Sequence, residues 1–172
     1  MTKIRGFEKI SFEQFQKDIQ DDAKELSDLG LEEMYEQLKF PRRATPLSAG
    51  YDIYAPGDII LQPGEMKSIA TGIKVYMQDD EWFSLRVRSG HGFKYNLRLK
   101  NQVGVVDADY YNNEDNEGHM FVALQNEGDK TWTVNRGEAF AQGIFHRYLI
   151  VDNDNPVEKE RKGGLGSTGK RG

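Results

Sequence analysis

The sequence contains no cysteine. Structural disulfides, thiolate metal sites and a cysteine nucleophile are therefore excluded. Its 3 histidines, His91, His119 and His146, are scattered with no zinc-like spacing. No apolar run approaches the ~20 residues that a bilayer span requires. The first residues, MTKIRGFEKI, lack the apolar stretch of a secretory leader. Positive charge is in deficit: 23 Lys and Arg against 28 Asp and Glu give a formal net charge of −5. That balance argues against general binding to nucleic-acid backbones. No Walker-type or dinucleotide-binding glycine motif occurs, and no Ser, His and Asp arrangement supports a triad hydrolase. These absences leave a soluble, cytoplasmic protein as the expectation. Its 172 residues suit one domain that buries a core without covalent staples.

What is present changes character along the chain. Lys3 to Ile10 alternates loosely and reads as a strand. Between Ser11 and Lys39 the apolar residues Phe12, Phe15, Ile19, Ala23 and Leu26 recur at steps of three and four, which is a helical stripe. Ser11 with Gln14 fits a capping box at its start. Gly30 is expected to end this helix, and Leu31 to Leu38 to form a short second one with Met34, Tyr35 and Leu38 on one face, stopped by Pro41. The acidic outer faces read either as a solvated surface or as a docking surface for a partner.

From Ala44 the pattern is of short strands: Tyr51–Ala55, Ile59–Leu61, Met66–Met77, Trp82–Arg88, Asn96–Lys100, Val103–Asp107, Met120–Gln125, Thr131–Val134 and Ala139–Val151. Turn residues punctuate them. Such spacing predicts a mainly β sandwich, barrel or jelly roll. The end, Pro156 to Gly172, is charged and then glycine-rich, like a flexible arm.

Four stretches carry residue types that chemistry needs. Arg88-Ser89-Gly90 offers a charged fork, a hydroxyl and close backbone approach, which suit a phosphate, although an ordinary turn reads the same way. Gly163 to Gly169, with Arg161, Lys162, Lys170 and Arg171 around it, reads as a phosphate clamp or as a linker. Asp52 stands inside a strand pattern, where an acid is disfavoured. It holds a structural hydrogen bond or helps to fix a metal–phosphate complex. Asn101 to Tyr111, NQVGVVDADYY, delivers two aspartates and two tyrosines at the end of an apolar run.

In order, PRRAT…AGYDIYA, VRSG, NQVGVVDADY, RGEAFAQGIF and RKGGLGSTG resemble the five motifs of the trimeric dUTPase family. They run from about Pro41 to the end of the chain, and Asn101 stands six residues before Asp107 as that family requires. The resemblance implies a mainly β, dUTPase-like jelly roll that assembles as a homotrimer with sites at subunit interfaces. It implies hydrolysis of dUTP to dUMP and pyrophosphate, which limits dUTP and supplies dUMP for thymidylate synthesis. By position, Asp107 is the base that activates a water against the α-phosphorus. Tyr110 stacks beneath the deoxyribose. Asn101, Val105 and Val106 read the uracil edge in a tight hairpin. Arg88, Ser89, Gly90 and Gln142 hold phosphates. Arg161, Ser167 and Thr168 close over the γ-phosphate from a neighbouring subunit, with Leu165 and Gly166 over the base. Asp52 orients a Mg²⁺ complex through water.

Three departures from the family pattern stand out. Leu165 occupies the position of a stacking aromatic, and Arg161 is one residue closer to the glycines than usual. Tyr111 to Glu117 forms an acidic insert where a glycine normally follows Tyr110. Ser11 to Lys39 is a helical insertion before the first motif. Such insertions suggest a divergent, phage- or prophage-type branch. The acidic insert reads as a solvated loop, or as a lid or partner contact. The alternatives to dUTP hydrolysis are a dCTP deaminase or bifunctional relative on the same fold, or a nucleotide-gated regulatory protein that uses the insertions to bind a partner.

Overall fold

The computed structural model describes residues 2–19, 28–158 and 161–164. Among them the chain forms, in order, β1 (Gly6–Lys9), α1 (Phe12–Ile19), α2 (Asp28–Glu36), β2 (Arg42–Arg43), β3 (Tyr51–Tyr54), β4 (Ile59–Leu61), β5 (Met66–Ala70) and β6 (Ile73–Tyr76). There follow β7 (Glu81–Val87), α3 (Ser89–Tyr95), β8 (Leu97–Leu99), β9 (Gly104–Asp107), a 3-10 turn (Ala108–Tyr110), β10 (Phe121–Asn126), β11 (Trp132–Val134) and β12 (Ala139–Arg147). A five-stranded antiparallel sheet runs β2-β3-β12-β7-β9. A second sheet runs β5-β10-β8, and β1-β6 and β11-β4 form two-stranded pairs. The fold is mainly β and jelly-roll-like. No helix among the described residues is long and apolar enough to cross a membrane.

Alternation along the strands explains the core. In β10 every second residue is buried (Val122, Leu124, Asn126), and in β7 Phe83 and Leu85 point inward. Residues from all four sheets meet in one cluster that includes Ile53, Leu61, Ile69, Val75, Phe83 and Trp132. Burying each large apolar side chain contributes roughly 1.5–3 kcal/mol, so this shared interior binds the sheets together.

The helical insertion has a separate small core of Ile10, Phe15, Ile19, Leu31, Met34 and Leu38, with Phe12 and Tyr35 against it. Gln14 N–H donates to Ser11 Oγ at 3.2 Å, so Ser11 does cap α1. The reciprocal half of the box is not made: the Gln14 side chain donates to Asp18, and the Ser11 N–H goes to Glu117. Gly30 does not end a helix. It lies inside α2, which begins at Asp28 and stops at Glu36, well before Pro41. Ala23 and Leu26, the far end of the expected stripe, lie outside the described residues.

The expected strand Met66–Met77 is broken into β5 and β6 by Thr71 and Gly72. Gly72 has φ +76°, and a side chain there would run into Leu38 and Phe15. The left-handed turn thus makes room for the helical insertion to sit down on the sheet. β12 ends at Arg147, so the expected strand to Val151 is too long; Leu149, Ile150 and Val151 are exposed. Arg88-Ser89-Gly90, which an ordinary turn also fitted, leads into a short helix, Ser89–Tyr95.

Candidate active site

β9 places the central side chains. It pairs only with β7 at the edge of the five-stranded sheet, with Phe83 opposite Val106 and Trp82 opposite Asp107. Alternation buries Val106 in the core and leaves Val105 exposed. Gly104 is required by close packing, because a Cβ there would lie 2.8 Å from Leu85 Cβ. Beyond Asp107 the chain tightens into the 3-10 turn, which swings Tyr110 back over the strand end. The result is a pocket of about 120 Å³ lined by Asn101, Val105, Val106, Asp107, Tyr110 and Arg161, among others.

The turn that carries Asn101 differs from the expected hairpin. β8 pairs with β10 and β9 pairs with β7, so the turn links two sheets and not two partnered strands. Gln102, at φ 63°, makes the sharp change of direction.

Arg161 lies in this pocket, on the chain's own Asp107. Its Nη2 donates to Asp107 Oδ2 at 2.6 Å and its Nε to Asp109 Oδ1 at 2.6 Å. The expectation gave Asp109 no role, and it proves to be half of this two-carboxylate seat. The arm is also held by its backbone, since Asp115 N–H donates to the Lys162 carbonyl at 3.0 Å. Gly164 lies so close to the ring of Tyr110 that a Cβ there would stand 2.8 Å from Cε2. Leu165, Gly166, Ser167 and Thr168 lie outside the described residues.

A second group gathers at the far end of β7. Arg88 Nε pairs with Asp52 Oδ1 at 3.0 Å, where the Asp52 side chain is 16% exposed. That ion pair explains how an acid is tolerated in β3. Gln142 faces Asp52 across the ladder and donates to the Val87 carbonyl at 3.1 Å. Phe140, skipped where the β12 register shifts between Ala139 and Ala141, is fully buried, and the bulge re-aims the strand just before Gln142. Arg88, Ser89 and Gly90 line an open pocket of about 350 Å³ with His91, Lys94 and Tyr95. This pocket shares no residue with the one around Asp107. The chain thus carries two separate openings: an apolar-walled slot with an acid, and a cationic opening.

The acidic insert is not a free solvated loop. Asn113 is buried, and Tyr111 OH donates to Glu8 at 2.5 Å. Glu117 accepts from both the N–H and the hydroxyl of Ser11, at 2.9 and 2.5 Å, and lies 3.7 Å from Lys74. His119, fully buried, bonds Asp18 Oδ2 through Nδ1 at 2.6 Å, and its Nε2 accepts from Gly72 N–H at 2.7 Å. Because Nε2 must accept, the ring proton sits on Nδ1. The N-terminal helical segment and the stretch 111–119, about a hundred residues apart in sequence, are thus stitched to each other.

This stitching depends on pH. Burial alone would raise the Glu117 carboxyl, but the bonds from Ser11 and the charge of Lys74 outweigh it and hold it below its ordinary 4.5. Asp18 is likewise lowered, its burial outweighed by the bonds from His119 and Gln14. A carboxyl lowered by folding stabilises the fold fully above its ordinary value, and that contribution disappears as pH falls through the lowered one. Hydrogen-exchange protection of α1 is therefore expected to be flat above about pH 5 and to drop below about pH 4. Glu117→Gln should show the reduced protection already at neutral pH. Protection that ignores pH across this window would contradict the account.

The remaining histidines each pack against a tryptophan. His146 stacks on Trp82 with centroids 4.6 Å apart, and His91 sits edge-on to Trp132 at 5.3 Å. Burial, then the charge of Arg88, push the His91 ring below its usual value.

Comparison with known proteins places the chain among its relatives. A family model described as dUTPase matches residues 36–169. The helices before residue 36 mostly precede the matched span. A deoxyuridine 5'-triphosphate nucleotidohydrolase of Lactococcus lactis is 48% identical over 133 residues, covering 77% of this chain and 89% of that protein. The crystal structure of a dUTPase from Streptococcus mutans superposes with a TM-score of 0.65 at 36% identity, covering 86% of this chain and 99% of that one. A dUTPase from phage phi11 of S. aureus, described with a structural Mg(II) ion, shares the fold with a TM-score of 0.58 at 21% identity, over 73% of this chain and 94% of that one.

Proposed function

The chain belongs to the dUTPase family and is a dUTP diphosphatase, and on that premise we propose that Asp107 activates a water for in-line attack on the α-phosphorus of dUTP, releasing dUMP and pyrophosphate. The observation that carries the assignment is the single pocket on which Asn101, Val105, Val106, Asp107 and Tyr110 converge. Asn101 and the backbone at Val105 and Val106 read the uracil edge, and the ring of Tyr110 underlies the sugar. A carboxylate fixed at a strand end needs only an oriented water to act as base.

The triphosphate needs positioning and charge neutralisation more than covalent chemistry. Arg88, Ser89, Gly90 and Gln142 supply that, and they line or border the other opening. That the two openings occur apart in one chain supports a homotrimer in which a neighbour completes each site. Arg161 then moves from Asp107 to the γ-phosphate. It must leave Asp107 before that carboxylate can take a proton, and a triphosphate offers it a denser charge than two carboxylates do. Ser167, Thr168, Leu165 and Gly166 close with it and exclude bulk water.

Mg²⁺ suits the donor set. Among the described residues no cluster of three or more His, Asp or Glu is arranged to hold a metal. A single carboxylate, Asp52, which shares its charge with Arg88 and would act through water, fits an ion carried chiefly by the phosphates. When bound, the ion neutralises charge on the phosphate oxygens and fixes their geometry. The physiological outcome is a low dUTP level and a supply of dUMP for thymidylate synthesis.

A pyrophosphate-release screen of dUTP, dCTP, dTTP and UTP with Mg²⁺ tests base, sugar and reaction class together. Turnover of dUTP well above the other three is expected. Ammonia release from dCTP, measured alongside, would favour the deaminase alternative, and saturable dUTP binding without pyrophosphate release would favour the regulatory one.

A further inference from the structure

Tyr110 is held by groups that the reaction does not use. Its hydroxyl donates to the His119 carbonyl at 2.8 Å and accepts from Asn116 Nδ2 at 2.8 Å. Its own backbone carbonyl accepts from Asn113 Nδ2 at 2.8 Å. The residue is thus gripped at both ends by a loop that departs from the family pattern. Burial of the phenol, which pushes its pKa up despite the bond from Asn116, agrees with a ring sealed in this seat.

The orientation of Asn116 follows from its neighbours. Its Oδ1 accepts from Asn113 Nδ2 at 2.8 Å and from Gly118 N–H at 3.1 Å. Both are donors, so the oxygen must face them and the NH₂ must face the phenol; the amide cannot be flipped without setting donors against donors. Asn113 is in turn fixed, since its Oδ1 accepts from the N–H groups of Asp115 and Asn116 at 3.0 and 3.1 Å. The side-chain amides of Asn113 and Asn116 are thus committed to each other, to the loop backbone and to Tyr110.

We propose that Asn116 is a positioning residue for Tyr110, and that it sets how strongly the site discriminates 2′-deoxyribose from ribose triphosphates. The inference rests on the reading of Tyr110 as the sugar platform. Exclusion of one hydroxyl by a flat ring is a matter of tenths of an ångström. A ring free to sink admits the 2′-hydroxyl, whereas a ring pinned through its own hydroxyl does not. Polar groups of this kind decide discrimination because they cannot be displaced without leaving a buried donor or acceptor unpaired.

Asn116→Asp tests this selectively. The aspartate keeps an oxygen for Asn113 and Gly118 but sets an acceptor where the phenol had a donor; the phenol's one proton cannot serve both that carboxylate and the His119 carbonyl, so one of its two ties is lost. Because the bonds from Asn113 and Gly118 remain, the melting temperature should stay close to the parent's. The dUTP-to-UTP ratio of kcat/KM is expected to fall on the order of tenfold, about the effect of one hydrogen bond to a buried group, mainly through better use of UTP. Tyr110→Phe should lower the ratio similarly, and the double variant should go no lower than Tyr110→Phe alone. An unchanged ratio in Asn116→Asp, or a further fall in the double variant equal to that in the single one, overturns the proposal. Should Asn116→Asp fail to fold, an unchanged ratio in Tyr110→Phe overturns it equally. A parent enzyme that prefers dUTP while the variants prefer it equally removes only this inference. A parent with no preference for dUTP removes the proposed function as well.

Discussion

Asp107→Asn is expected to lower turnover of dUTP by about 10²–10⁴-fold, the range a positioned proton acceptor contributes, while KM changes little. The asparagine matches the aspartate in shape, so β9, its partner Trp82 and the pocket wall should be undisturbed. What it cannot do is take a proton from water. It also loses charge opposite Arg161, but Asp109 still receives Arg161 Nε, so the arm keeps one of its two seats. The variant therefore separates chemistry from binding: retained affinity for dUTP with lost pyrophosphate release identifies the base. Turnover like that of the parent enzyme would remove Asp107 from the role.

Deleting Pro156 to Gly172 is expected to reduce kcat by about 10²–10³-fold, comparable to removing one preorganised charge-stabilising group, without unfolding the protein. The contacts explain both halves of this expectation. Residues 156–158 and 161–164 form no strand or helix, and Val157 is 85% exposed. The core cluster draws nothing from them. Yet Arg161 is paired with the proposed base, and Gly164 lies against the edge of Tyr110. Loss of the arm opens the pocket to water while the β-sheets keep their packing. Single-turnover pyrophosphate release compared with the thermal midpoint checks the two halves separately. Unchanged kinetics would exclude the clamp.

Much of this was readable from the chain because the signals are local. Val103 to Asp107 is a short apolar run that stops at an acid, so β9 and the place of Asp107 at its end were legible, while the run does not tell that Val106 is buried and Val105 exposed. The stripe Phe12, Phe15 and Ile19 marks α1, and Ser11 its cap. Gly30 misled because glycine most often ends a helix, whereas here α2 continues through it. Gly72 was not singled out, although a left-handed turn splits the long apolar run there. The contacts that organise the site span long separations and leave no periodic trace. Nothing in the spacing of Asp18 and His119, or of Ser11 and Glu117, announces that they meet. Asp109 and Asn116 are short polar residues in a polar stretch, and only the path of the arm and the curl of the loop give them their partners.

The bonds from Ser11 to Glu117 and from Asp18 to His119 have a consequence for the history and engineering of the chain. Neither insertion is a removable ornament. Excising the helices alone would leave a buried imidazole facing no acid, and excising the loop alone would leave the Ser11 N–H and hydroxyl without their carboxylate. The two behave as one cassette with two distant reading-frame addresses. A chimera built on a plainer family scaffold would have to receive both pieces together, along with the glycine at position 72 that makes their seat.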